Sequence, residues 1–415
     1  MIKTRPSILV VSQSLPFSNG MGSELRLRNW ILALTRTMDV YLEVITMNHK
    51  DTTRIIDNDI VSRCVSFNVT DVSTYQLKKA NLYNRFLKYV PELLARWPHA
   101  EIKSKLQYLE SKKFDAVLVV RLRLLPVWNS INIETKVEAH QKFIDLDDID
   151  SINYMRQLKI GGTRMYGKIG AFLQFVDILK LRSIENEVSK NFDCAFLCSK
   201  KDVATLNART KSKGKFNIIP NCVDMPKDML FESKRQEFRL LFVGSLSYEP
   251  NIDAVRWLVE EILPEVRSNI NNKNIVLEVI GRDPPEWITQ IEDIELHSNV
   301  PSVLPHYQRC NVAIVPLRAA GGTRIKIIEA MSLGRIVIST SIGAEGLEVE
   351  AGKHYINADT TLEMVLAIKM VVNNYDLHKQ MRIEARQFVE SNYSLNAFNN
   401  KVDEALASKI ANTFE

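Results

Sequence analysis

The feature that most restricts how this chain can fold is a pattern that occurs twice. A short apolar run ends at a loop, an amphipathic helical repeat follows, and a second apolar run comes after it. In the first half, Ser7-Ile8-Leu9-Val10-Val11 precedes a loop over residues 13–22 that holds Pro16, Gly20 and Gly22. Leu25, Leu27, Trp30, Ile31 and Leu34 recur at near-helical spacing, and Val40-Tyr41-Leu42-Glu43-Val44-Ile45-Thr46 reads as a strand. Strand, loop, helix and strand within ~40 residues mark a βαβ unit, whose strands are parallel. Asp115-Ala116-Val117-Leu118-Val119-Val120, Lys142-Phe143-Ile144 and Ala195-Phe196-Leu197 add strands, and a basic helical stretch lies over 150–191.

The second half restarts the pattern. Phe238-Arg239-Leu240-Leu241-Phe242-Val243-Gly244 is a strand ending in a glycine turn, followed by a helix through Ala254, Val255, Trp257, Leu258, Ile262 and Leu263. Ile275-Val276-Leu277-Glu278-Val279-Ile280-Gly281 and the runs at 311–316 and 336–339 complete a sheet, with a helix over 324–333 between the last two. The tail over 362–411 is helical in pattern. Two doubly wound α/β domains in series, joined near 220–227, are the simplest account. Ligands of such sheets bind beyond the carboxyl ends of the strands, and two such domains facing each other make a cleft.

Composition sets the outer limits. With 415 residues, 46% of them hydrophobic and 25% charged, the chain is neither disordered nor fibrous. No apolar run reaches the ~18 residues of a membrane span. The apolar core Ile8-Leu9-Val10-Val11 is shorter than a signal-peptide core of ~7–15 residues, so a cytoplasmic chain is expected. Five scattered cysteines, with Cys194 and Cys198 in an apolar strand pattern, are expected to be free thiols. The net charge of +5 hides an asymmetry: residues 1–222 carry +12 and residues 223–415 carry −7. No nucleic-acid-binding motif accompanies the basic half, so nucleic acid is not expected as a partner.

The sharpest chemical signal is Pro316-Leu317-Arg318-Ala319-Ala320-Gly321-Gly322-Thr323-Arg324-Ile325-Lys326-Ile327-Ile328-Glu329-Ala330-Met331. A strand ends, two glycines open a helix, and Arg324 and Lys326 sit in its first turns. Free backbone N–H groups and two cations at one helix start suit a diphosphate. Glu329, further along, can accept the paired hydroxyls of a ribose.

Together with Phe242-Val243-Gly244, Val279-Ile280-Gly281, Gly334 and Ser339-Thr340, this segment resembles family 4 retaining glycosyltransferases of the GT-B fold. Ile218-Ile219-Pro220-Asn221-Cys222-Val223-Asp224 is similar to the family's interdomain motif, with Cys222 where glycine is usual, and Ser341-Ile342-Gly343-Ala344-Glu345-Gly346-Leu347 also fits. The resemblance is strong over 238–395 and looser over 1–222. It implies two Rossmann-like domains facing across a cleft, 1–222 on the acceptor side and 223–390 binding the nucleotide-sugar donor, with a helix over 391–415 crossing back. The implied reaction moves a hexose from a nucleoside-diphosphate sugar to a hydroxyl of a lipid-linked glycan in surface polysaccharide assembly. No metal and no further cofactor are expected.

The resemblance also distributes roles. Gly244, Ser245, Gly281, Val300, Gly321, Gly322, Thr323, Arg324, Lys326 and Glu329 fall at donor-binding places. Val300, Leu304 and Tyr307 are expected in a turn near the nucleobase. Of the family's two glutamates, the second matches Glu329 and the first falls on Gly321. The usual Arg and Lys after the first strand of the second domain are replaced near Ser245 and Asn251, which leaves Arg324 and Lys326 to supply positive charge. In the N-terminal loop, Gly22 fits a turn over the donor phosphates, and Arg26 is a candidate phosphate or acceptor contact.

Four carboxylates crowd Asp145-Leu146-Asp147-Asp148-Ile149-Asp150. Three readings stay open: a sugar contact through Asp147 or Asp148, a metal pair of Asp145 and Asp147, and a helix cap from Asp148 or Asp150. His140 nearby is an alternative sugar contact, and Arg121 follows a strand at a cleft-facing position. Rival functions are a nucleotide-sugar 2-epimerase of the same architecture and a non-catalytic nucleotide-sugar-binding scaffold. The basic half and the aromatic-basic stretches 78–89 and 165–180 point to peripheral binding at the inner, anionic face of a membrane.

Overall fold

A computed structural model describes residues 5–17, 22–47, 56–72, 97–227, 237–270 and 274–410, with Pro91 and Leu94. Gly20 and the stretch 78–89 lie outside the described residues. The chain divides into two compact units, one built from 1–158, 162–220 and 398–415, the other centred on 221–397.

Among the described residues, the first unit holds a parallel sheet of seven strands: β1 (Ser7–Ser12), β2 (Asp39–Thr46), β3 (Ser66–Asp71), β4 (Lys113–Val120), β5 (Glu138–Asp147), β6 (Cys194–Leu197) and β7 (Phe216–Ile218). Their spatial order is β3-β2-β1-β4-β5-β6-β7. The central strands read as continuous apolar runs because helices cover both faces, and Ile8, Leu9, Val10 and Val11 are all fully buried. The last helix, Leu395–Ile410, joins this unit from Phe398 onward. There Phe398 meets Trp30 edge-on at 5.6 Å.

The second unit repeats the plan with, among the described residues, six parallel strands: β8 (Glu237–Val243), β9 (Asn274–Gly281), β10 (Glu295–Ser298), β11 (Val312–Val315), β12 (Ile336–Ser339) and β13 (Ile356–Asn357). The order is β10-β9-β8-β11-β12-β13. In each sheet the order reverses once, between β1 and β4 and between β8 and β11. A reversal opens a crevice at the carboxyl ends of the two strands, because the crossovers leave them on opposite faces. The folds of both units are Rossmann-like.

Two expectations change. Leu304 and Tyr307 lie on a short helix, Leu304–Arg309, with Pro305 in its first turn, and not in a turn. The strand around Lys142-Phe143-Ile144 is ten residues long and runs on to Asp147.

Candidate functional site

The crevice of the second unit gathers most of the expected donor residues. After β8, Gly244 turns the chain; at the end of β9, Gly281 lies directly alongside. A Cβ at Gly281 would drive into the Gly244 carbonyl and the Leu246 side chain, with Cδ1 at 2.7 Å. A Cβ at Gly244 would stand 2.8 Å from Lys326 Nζ. Close approach to backbone therefore requires glycine at Gly281, whereas a side chain at Gly244 would have to displace Asn251 and the end of Lys326. Gly281→Ala is expected to cost about 1–3 kcal/mol, as overpacking does, read from a lower urea midpoint. An unchanged midpoint would show that the turn can shift at no cost.

Lys326 is the centre of this crevice. It stands on the helix Ile325–Ser332, one residue past the helix start, and its ammonium reaches back over the Phe242 ring at 4.4 Å. Nζ donates to Asn251 Oδ1 at 2.9 Å, and Asn251 Nδ2 donates to the Ser245 carbonyl at 2.8 Å. The positive charge missing from the β8 loop is thus brought there by a residue 75 positions later. Burial pushes the Lys326 ammonium down to about 7, with Glu329 opposing and Arg324 assisting. Burial likewise pushes Glu329 up to about 7, while Lys326 and a hydrogen bond from Tyr307 pull it back. A lysine and a glutamate that both titrate near neutrality on one helix face mark a candidate functional site.

Arg324 has a different job. Its side chain is buried, and Nη1 donates to the Gly322 carbonyl and to the Glu345 carbonyl, the latter at 2.7 Å. It ties the glycine turn, where Gly322 has φ 62°, to the segment after the helix Ser341–Ala344. Thr323 is buried and accepts from Asn221 Nδ2 at 2.9 Å. Gly321 is half-buried beside it. Val300 packs on the core just past β10. Tyr307 is buried against the same helix, donating to the Lys326 carbonyl at 3.3 Å.

In the first unit, the carboxyl ends of β4 and β5 carry a buried ion-pair cluster. Arg26 has no exposed side-chain surface and grips Asp145 with two hydrogen bonds, Nε at 2.7 Å and Nη2 at 2.6 Å. Trp30 Nε1 adds a third at 3.0 Å. Arg26 therefore sits beneath the surface, holding the strand end, and the carboxylate of Asp145 is already occupied. Arg121 pairs with Asp147 and lies 3.5 Å from Asp148. Asp147 is also 3.6 Å from Arg26. This removes the motive for the metal pair read from Asp145 and Asp147. The cap reading has no support either: the helix Asp150–Asn191 starts from Ile149 without a side-chain cap.

Two of the seven non-glycine residues with positive φ among the described residues meet at this corner: Arg121 at 81° and Asp147 at 63°, a region uncommon for residues with a Cβ and better tolerated by aspartate than by arginine. Paired strain of this kind, at adjacent strand ends, is a signal of function that sequence does not display. Asp148 is held well above the usual carboxylate range, first by burial and then by repulsion from Asp150 and Asp147, against the pull of Arg121. His140 is exposed near the amino end of β5, ~20 Å of strand away from Asp147, and does not join the group. Gly22, at the start of the helix Gly22–Leu34, is exposed, and a Cβ there would meet nothing within 4 Å.

Among the described residues, one set of metal-ligand types gathers unexpectedly: Glu278, His297 and His306, with ligand atoms within 4.8 Å of one another. Arg309 Nη2 lies in their midst, against Glu278, 2.9 Å from His306 Nδ1 and 3.2 Å from His297 Nε2. A guanidinium of the chain itself stands where a cation would, so no metal is assigned.

The crevice lies at the strand-order reversal of a doubly wound sheet, and comparison with known proteins places that fold. Residues 237–374 match the family described as Glycosyl transferases group 1, so the second unit carries a group 1 glycosyltransferase domain. Over 334 residues the chain is 23% identical to an "Uncharacterized 44.6 kDa protein in cps region" of Klebsiella pneumoniae, covering 75% of this chain and 78% of that one. Among solved structures, sucrose-phosphate synthase from Thermosynechococcus elongatus superposes with a TM-score of 0.69 at 14% identity, over 98% of this chain and 100% of that one. Anabaena Alr3699/HepE, solved with UDP and glucose, gives 0.66 at 12% identity, over 97% and 100%. These likenesses show the GT-B fold.

Proposed function

We propose that this protein is a retaining glycosyltransferase of family 4 that moves a hexose from a nucleoside-diphosphate sugar to a hydroxyl of a lipid-linked glycan, in surface polysaccharide assembly. The observation that carries the reading is the placement of Lys326. Its ammonium, the Gly244 turn, the Gly321-Gly322 turn and Glu329 converge on one crevice. Charge develops on the diphosphate as the glycosidic bond breaks. An ammonium and helix-start N–H groups aimed there stabilise the leaving group without a metal. Arg324 keeps the glycine turn in shape, and Glu329 accepts from the ribose.

Acceptor contacts are assigned to the first unit, with Arg121, Asp147 and Asp148 at the strand ends. Asp145 and Asp147 are paired with Arg26 and Arg121, and burial favours the protonated form of Asp148, which disfavours a glycosyl ester on any of the three. Retention then follows from front-face attack, with the leaving phosphate taking the acceptor proton. The cps-region relative supports the polymer class, and the acceptor lipid places the work at the inner face of a membrane.

Incubation with a panel of nucleotide sugars, UDP-glucose first, tests the proposal. Nucleoside diphosphate is expected to appear when a lipid-linked acceptor is present and to stay near background without it. Release without acceptor, giving a free epimerised sugar, would assign the protein to the 2-epimerases. Tight binding with no product under any condition would leave a scaffold.

A further inference from the structure

The helix Asp150–Asn191 is interrupted at Gly167, where φ is 64° and ψ is 175°. Past this point its inner face is conventional: Leu173, Ile178, Leu181 and Val188 are buried. Its outer face is not. Ile169, Phe172, Phe175 and Leu179 are 64%, 53%, 39% and 48% exposed, and Val176 beside them is half-buried. At 3.6 residues per turn these five share an arc of ~120°.

On this helix the exposed charges next to the stripe are basic: Lys168 stands at its start and Arg182 borders it, and the next exposed acid is Glu187. Lys180, on the other border, is half-buried with its ammonium 3.6 Å from Asp177. Asp177 and Glu185 are buried and point inward. The wider segment 151–222 carries +8. Four large apolar side chains turned outward on one helix call for an occupant. A nucleic acid would reward the cations and leave the apolar centre unmatched. A neutral protein groove would reward the centre and leave the cations unmatched. An anionic bilayer matches both, taking the apolar side chains into the acyl boundary and the cations at the phosphates.

We infer that residues 168–183 form a docking element for an anionic phospholipid bilayer. This deepens the membrane location proposed above and does not depend on the transfer reaction. Sedimentation of the full chain with phosphatidylcholine–phosphatidylglycerol vesicles tests it, in the absence of donor and acceptor. Binding is expected at low salt, weaker at high salt, and absent on pure phosphatidylcholine. The variant Ile169→Ser/Phe175→Ser/Leu179→Ser should lose at least ~10-fold in vesicle affinity, with melting and nucleotide binding unchanged. Lys168→Glu/Arg182→Glu should lose a similar factor and its salt dependence, which keeps the test open if the first variant folds poorly. The inference is overturned if the wild-type chain does not bind anionic vesicles, or if both variants bind as it does. It is equally overturned if the stripe variant only converts a dimer to a monomer, which would make a second copy the occupant. Vesicle binding without transferase activity would count against the proposed reaction alone.

Discussion

Replacing Lys326 by methionine is expected to lower turnover by about 10²–10³-fold, the usual loss when one preorganised stabiliser of developing charge is removed. Methionine keeps most of the side-chain volume over the Phe242 ring, so the change removes charge rather than packing. The same residue fixes how nucleotide binding depends on pH. Above pH 7 the buried ammonium, depressed to about 7, is largely neutral, whereas Glu329, raised to about 7, is largely ionised. A bound diphosphate favours protonated Lys326. Binding at pH 8 should therefore take up a proton, and affinity should fall as pH rises from 7 towards 9, by up to about tenfold per unit. Below pH 6 Lys326 is already charged and this dependence disappears. Calorimetric titration with a nucleoside diphosphate, in buffers of different ionisation enthalpy, measures the proton count. Lys326→Met should abolish the uptake at pH 8. Uptake that persists in the variant would move the titrating group elsewhere.

Asp145→Ala should destabilise the first unit by about 3–5 kcal/mol, because it leaves a guanidinium buried with its main carboxylate partner gone. Arg26 has no side-chain exposure, so water cannot replace the two hydrogen bonds it loses. Trp30 Nε1 loses its acceptor as well. The unfolding midpoint of that unit should drop by roughly 10 °C in calorimetry. The double variant Arg26→Met/Asp145→Leu should recover much of the loss, since replacing a buried pair by apolar residues is often neutral. A single variant that melts within a degree of the wild type would show the pair to be relaxed by solvent. Nothing in this result depends on catalysis, which makes it an independent check on the core beneath Arg121 and Asp147.

How legible these features were in the sequence depended on how local their causes are. Central strands announce themselves, because helices on both faces leave them uniformly apolar; Leu240-Leu241-Phe242-Val243 needs no partner to be read. Edge and short strands do not. β3, β7, β10 and β13 hold mixed residues such as Glu295-Leu296-His297-Ser298, and their strand character comes from ladder hydrogen bonds to a neighbour. The glycine-led helix start at 321–324 was likewise visible. The work of its two cations was not. Arg324 and Lys326 look alike as charges two residues apart, yet one is bound to carbonyls and the other reaches the first turn of the helix Glu249–Trp257, 75 residues earlier. The acidic run 145–150 was conspicuous, but its meaning lay in Arg26 and Arg121, which no spacing rule connects to it.

The sequence by itself determined the two parallel α/β sheets, the glycine turns at the strand ends and the basic-to-acidic division of the chain. All three follow from interactions among near neighbours or from simple counting. Tertiary structure alone decided which charges are spent and which remain for chemistry. Pairing across 119 positions buries Arg26 on Asp145, and the same packing leaves Ile169, Phe172, Phe175 and Leu179 facing outward. Burial and ion pairing depend on what stands opposite a residue in space, and that is settled only when distant segments close on one another.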